Sequence, residues 1–264
     1  MRKVRLARVV VAIATSIALT GCSDPSIVTP GPTATSSPSP QPSRSVEAPP
    51  GRPVTFVASD GVRIAGRLFG DGPVGVVLGH QIDNDQSAWW DFAERLAADG
   101  YVALTINFRG YCPDGAGCSG DGGTGEAWRD LVAASDELRH RGAGRVVLIG
   151  ASMGGTAAVV AASDARSAVD GVITLSAPAD CCGMGADRSA IQAADMPMLF
   201  IAGRFDGDAP ASARRLGRFA GSQGEIVILA SGEHGTDLIG GLATPQVERR
   251  TTDLILDFLD RVAR

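Results

Sequence analysis

The sequence predicts an open α/β domain: a mainly parallel sheet of eight strands with helices on both faces. Three observations carry this. Runs such as "VGVVLGH", "YVALTINF", "RVVLIGAS" and "MPMLFIAG" are continuously apolar, as strands buried on both faces must be. The stretches between them place apolar residues at helical spacing. A β-rich pair split by Asp60-Gly61, a strong hairpin signal, precedes this strand–helix alternation.

Taken in order, "VTFVAS" and "VRIAGRLFG" form the opening hairpin, and "VGVVLGH" is the first buried strand. "QSAWWDFAERLAADG" puts Trp89, Phe92, Ala93 and Leu96 on one helical face, with Gly100 as its stop. "YVALTINF" is a strand, and "GEAWRDLVAASDELRHRG" a helix with Trp128, Leu131, Val132 and Leu138 facing inward. "RVVLIGAS", "GVITLSAP", "MPMLFIAG" and "GEIVILAS" are the remaining strands. "MGGTAAVVAAS" and "APASARRLGRFA" are helices between them, and "TPQVERRTTDLILDFLDRVAR" closes the chain as an amphipathic helix. No internal repeat is present.

This domain is expected to span residues 54–264, enough for one substantial core. What precedes it reads differently. "MRKVRLAR" is a basic leader, followed by "VVVAIATSIALT", an apolar run short for a bilayer span. Residues 1–21 are therefore expected to be a signal peptide, and the exit "LTGC" resembles a bacterial lipobox with Cys22 as the lipidated residue. Residues 22–53 are rich in proline, serine and threonine with little to bury, the composition of an extended tether. The chain is thus expected outside the cytoplasm, held to the cell membrane by lipid.

Charge narrows the partners. The whole chain carries a formal −5, and losing Arg2, Lys3, Arg5 and Arg8 with the leader takes it to −9. A body so acidic does not seek nucleic acid. Lys3 is the sole lysine, which removes P-loop, Schiff-base and Ser–Lys chemistry from the mature chain. Besides Cys22 there are Cys112, Cys118, Cys181 and Cys182. An even number in an exported chain favours disulfides over a zinc site, whose usual spacings these do not match. Three connectivities stay open. No metal or cofactor is expected, and the chain is expected to act as a monomer.

Ligands of open α/β sheets collect at the carboxyl ends of the strands. Ser152 ends "RVVLIGAS", Asp206 follows "MPMLFIAG", and His234 follows "GEIVILAS". Serine, acid and imidazole thus reach one sheet edge from three strands. "GASMG", with Gly150 and Gly154 flanking Ser152, matches the nucleophile-elbow motif, and the order Ser…Asp…His matches its triad. With "LGHQ", "LAADGYVALTINFRGY", "AGRFD" and "GEHG", the chain resembles the α/β-hydrolase-fold serine hydrolases over the whole of 54–264.

The resemblance implies Ser152 as nucleophile, His234 as general base and Asp206 as its orienting acid. Asp180 and Asp208 are the rival acids. His80 is read as structural and His140 as a solvated helix end. The oxyanion hole is assigned to the backbone N–H of Met153 and of Ile82, with Gln81 the alternative for the second donor. Gln81 stands where the family commonly has glycine. The 17-residue segment between "LSAP" and "MPMLF" leaves no room for a large cap. The four cysteines fall in loops at the catalytic edge, where disulfides would stiffen its rim. The function expected is hydrolysis of small carboxylic esters or thioesters through an acyl-enzyme. A peptidase or acyltransferase on the same triad, or an inactive binding protein, are the alternatives.

Overall fold

The computed structural model describes residues 50–113, 115–164 and 167–264. The expected signal peptide, Cys22 and most of the expected tether lie outside the described residues.

Strands β1 (Arg52–Val57) and β2 (Arg63–Phe69) form the antiparallel hairpin around Asp60-Gly61, β1 starting just ahead of Val54. Then come β3 (Val74–Gly79), a 3-10 turn (Gln86–Trp89) running into α1 (Trp90–Ala98), and β4 (Val102–Ile106). α2 (Trp128–His140), β5 (Arg145–Ala151), α3 (Met153–Ala162) and β6 (Gly171–Leu175) continue the alternation. A tiny hairpin, β7 (Asp180–Cys181) with β8 (Met184–Gly185), and α4 (Arg188–Ala194) fill the short segment before β9 (Met198–Gly203). α5 (Ala209–Ala220), β10 (Gly224–Leu229) and α6 (Pro245–Ala263) complete the chain.

Eight strands form one sheet in the order β1-β2-β4-β3-β5-β6-β9-β10. From β4 to β10 every pairing is parallel; β1 and β2 run antiparallel at one margin. The strands that read as unbroken apolar runs, β3, β4, β6 and β9, are buried at every residue. Alternate side chains feed two cores. Val146 and Leu148 of β5 meet Leu131, Leu138, Ala157 and Leu216 from α2, α3 and α5. Val147 and Ile149 face the other way, onto Phe92 and Leu96 of α1 and Leu254, Ile255 and Phe258 of α6. Burying each large aliphatic or aromatic side chain is worth about 1.5–3 kcal/mol, so α6 is held by that stripe. Its start is fixed by Thr244, whose hydroxyl accepts from Val247 N–H, and by Pro245 in the first turn.

The turn of the hairpin is tied to the segment after β4 and to α2 by a buried ion network. Arg109, 2 % exposed, donates through Nε and Nη2 to Asp130 Oδ1 at 2.9 and 2.7 Å. Its Nη1 reaches Asp60 Oδ2 at 2.6 Å, and its backbone N–H reaches Asp130 Oδ2 at 2.9 Å. Burial pushes the Asp130 carboxyl up, whereas the Arg109 bond pulls the more accessible Asp60 down. Burial opposes the charge on Arg109, but its two carboxylate partners outweigh this and hold the guanidinium ionised.

Candidate active site

The expected nucleophile lies on a strained turn. Ser152 joins β5 to α3 with φ 47° and ψ −114°, a left-handed conformation that a side chain adopts only when its surroundings impose it. They do. Ser152 N–H is bound to Leu175 O of the neighbouring strand at 2.8 Å, while Ser152 O accepts the amides of Gly155 and Thr156 at 2.9 and 3.1 Å. The flanking glycines make the turn possible: a Cβ on Gly150 would overlap the backbone of Gly154, and one on Gly154 the backbone at Gly79 and His80. Met153 opens α3, so its N–H is among the amides for which a helix supplies no internal acceptor.

His234 and Asp206 are brought together. His234 Nδ1 lies 2.9 and 3.0 Å from Asp206 Oδ1 and Oδ2. A carboxylate only accepts, so Nδ1 carries the proton and Nε2 is left with its lone pair. The imidazole side chain is 41 % exposed and the carboxylate 12 %, so the acid lies beneath a base that solvent or a ligand can reach. The loop that carries the acid is tied to the β10 loop: Arg204 and Phe205 N–H donate to Leu229 O and Ser231 O at 2.8 and 2.9 Å. The rival acids sit elsewhere. Asp180 is in β7, exposed and paired with Arg215 at 2.8 Å, and Asp208 is the exposed N-cap position of α5. His140 is an exposed end of α2.

The loop after β3 is built around His80, which has no exposed surface. His80 Nε2 accepts Phe108 N–H at 3.2 Å, and its Nδ1 donates to Gln81 O at 2.8 Å, which fixes a neutral imidazole of one tautomer. Burial depresses its pKa to about 4, with Gln81 and Asp85 opposing weakly. The same Gln81 carbonyl accepts Asn84 N–H at 3.2 Å. In a trans peptide C=O and N–H point oppositely, so pinning Gln81 O inward turns the N–H of Ile82 outward. Ile82 is 45 % exposed, and Tyr111 Oη donates to its carbonyl at 2.5 Å. Beside it opens a cavity of about 600 Å³ lined by Ile82, Asp83, Asn84, Asp85 and Tyr111.

Cys112 pairs with Cys118 and Cys181 with Cys182, so both bridges are local and neither joins the two loops. The second loop is instead held by Thr124, whose hydroxyl donates to Cys182 O at 3.3 Å. Among the described residues, no group of three or more His, Cys, Asp or Glu side chains is gathered as a metal site would require.

One contact and one residue of this region escaped sequence reading. Gln81 reaches across to Thr236, described below. Ser176, directly after β6 and fully buried, also has positive φ, 57°, and its N–H binds Ile201 O at 2.8 Å. A serine following an apolar strand carries no signal of that geometry.

Residues 76–221 match the family described as alpha/beta hydrolase fold. Among solved structures, the chain is similar to a thermophilic esterase from Thermogutta terrifontis, with TM-score 0.63 and 18% identity over 80% of this chain and 99% of that one. An enol-lactonase from Burkholderia xenovorans LB400 gives TM-score 0.63 and 16% identity, covering 78% of this chain and 100% of that one. An esterase from Pyrococcus furiosus gives TM-score 0.65 and 16% identity, with 80% and 91% covered. No curated protein matches the sequence.

Proposed function

This chain belongs to the alpha/beta hydrolase fold family, and we propose that it is a serine hydrolase that cleaves small carboxylic esters through Ser152, His234 and Asp206. The observation that carries the reading is the His234 Nδ1 bond to Asp206, beside a serine held on a left-handed turn at the same sheet edge.

Ser152 Oγ attacks the ester carbonyl carbon as its proton passes to His234 Nε2. The carbonyl π-electrons move to oxygen, and the oxyanion is met by the N–H groups of Met153 and Ile82. Asp206 keeps the Nδ1 proton in place and stabilises the imidazolium. Collapse expels the alcohol, which takes the proton from Nε2, and leaves an acyl-serine. Water then attacks, gives its proton to His234, and releases the carboxylic acid with the proton returned to Ser152 Oγ. Esters are favoured because structural neighbours include esterases and an enol-lactonase. Small substrates are favoured because the β7–α4 segment adds only a two-strand hairpin and one short helix where a cap could stand.

A fluorophosphonate probe and p-nitrophenyl esters test the assignment. Wild type is expected to label and to prefer acetate or butyrate over palmitate. Ser152→Ala is expected to lose labelling and at least about 10⁴-fold in kcat. Asp206→Asn is expected to lose about 10²–10⁴-fold, while Asp180→Asn stays within about twofold. Labelling of Ser152→Ala at the wild-type rate overturns the nucleophile, and a large loss in Asp180→Asn overturns the acid. We further propose that the domain works outside the cytoplasm, tethered through lipid on Cys22.

A further inference from the structure

We infer that Gln81 is a positioning residue whose side-chain amide straps the loop bearing the Ile82 N–H to the loop bearing His234. The inference rests on the ester-hydrolase reading above. Gln81 Oε1 accepts Thr236 N–H at 3.1 Å and the Thr236 hydroxyl at 3.3 Å. Thr236 is buried and belongs to the 3-10 turn Gly235–Leu238, whose leading amides have no acceptor inside the turn. The main chain of Gln81 is fastened as well, through its carbonyl, by His80 and Asn84. One residue therefore fixes two things. Its carbonyl sets the direction of Ile82 N–H, and its side chain holds the segment that begins directly after the imidazole. Asn84 adds a second link, its Nδ2 donating to Thr236 Oγ1 at 3.5 Å.

β3 and β10, which lead into these two loops, are not paired with each other. β5, β6 and β9 stand between β3 and β10, so strand pairing does not set the distance from one loop to the other. Gly235 completes the device. It has φ +58°, and a Cβ there would overlap the Gln81 amide oxygen, so the strap closes only over a glycine. The oxyanion donor and the base act together only in the transition state, so a loosened strap shows in kcat rather than KM.

The test uses Gln81→Met, which keeps the reach and removes the acceptor, Gln81→Glu, which keeps an acceptor, and Gly235→Ala, which ejects the wild-type amide. Fluorophosphonate labelling rates, p-nitrophenyl acetate kinetics and melting temperatures are measured on each. Gln81→Met is expected to lose about tenfold in kcat and labelling rate with KM within about twofold, in line with the cost of small misplacements. Gln81→Glu is expected to retain at least about half of wild-type kcat, and Gly235→Ala to reproduce the Met loss without adding to it in the double variant. Wild-type kcat in Gln81→Met, a loss that Glu does not restore, or losses that multiply in the double variant overturn the strap. If Gln81→Met does not fold, the Glu and Ala variants decide in the same way: wild-type kcat in Gly235→Ala, or a large loss in Gln81→Glu, overturns it. Wild type that neither labels nor turns over overturns the ester reading and the strap together. Labelling of wild type with an undiminished Gln81→Met rate overturns the strap alone.

Discussion

Protonating a histidine that has no access to water removes the hydration the charge would need, and His80 meets that condition at the base of the candidate oxyanion loop. Its folded pKa of about 4 lies below the 6.5 of an ordinary histidine. Between those values the unfolded chain takes up a proton that the folded protein excludes, so stability falls as pH drops through that window. Above 6.5 and below about 4 this group contributes no slope. Going from pH 7 to pH 5 is expected to cost about 2 kcal/mol through His80. Urea unfolding at both pH values checks this. His80→Asn, which cannot titrate there, is expected to show a smaller drop, and equal drops would overturn the assignment. A structural role for His80 was legible from the family resemblance of its strand-end loop, but its tautomer was not, because Phe108 has to be folded beside it. Gln81 was visible as a glutamine in a glycine's place and as the alternative second oxyanion donor, but not as a link to the His234 loop. Its partner lies 155 residues further along, beyond any local pattern.

At the scale of the element, apolar runs and helical periodicity were enough to read all eight sheet strands and five helices. The central strands β3, β4, β6 and β9, buried at every residue, left short continuous apolar runs, while β1 and β2 were read from the Asp60-Gly61 turn between them. α4 was not legible. Among its seven residues only Ile191 is buried, so it has no apolar stripe to be recognised by. The hairpin β7–β8 has two residues in each strand and so shows no alternation either. Disulfide connectivity stayed open because pairing depends on how loops fold back. Charge joins the turn of the β1–β2 hairpin to the segment after β4 and to α2, through Asp60, Arg109 and Asp130. Removing one member leaves its partner's charge buried. Asp130→Ala is therefore expected to destabilise the domain by about 3–5 kcal/mol, measured as the shift in a urea unfolding midpoint. Replacing Asp60, which is partly solvated, is expected to cost less. An Asp130→Ala variant as stable as wild type would show that the network does not hold the hairpin.

For the whole molecule, the domain follows a segment in which a basic head, a short apolar run and the exit "LTGC" carry the expectation of export. If Cys22 bears the lipid, Cys22→Ala is expected to move the protein from the membrane fraction to the soluble extracytoplasmic fraction with its specific activity unchanged. Retention in the membrane would overturn the anchor. The strand order has a bearing on that journey. β3 has β4 on one side and β5 on the other, and Val74 lies opposite Arg145. A chain synthesised from its N-terminus therefore carries β3 with one side unpaired until β5 has been made. An unpaired apolar strand edge invites wrong partners, and parallel pairing between distant segments forms slowly. A centre that closes late keeps the chain threadable, which would suit the export proposed above if the chain crosses a membrane before it folds.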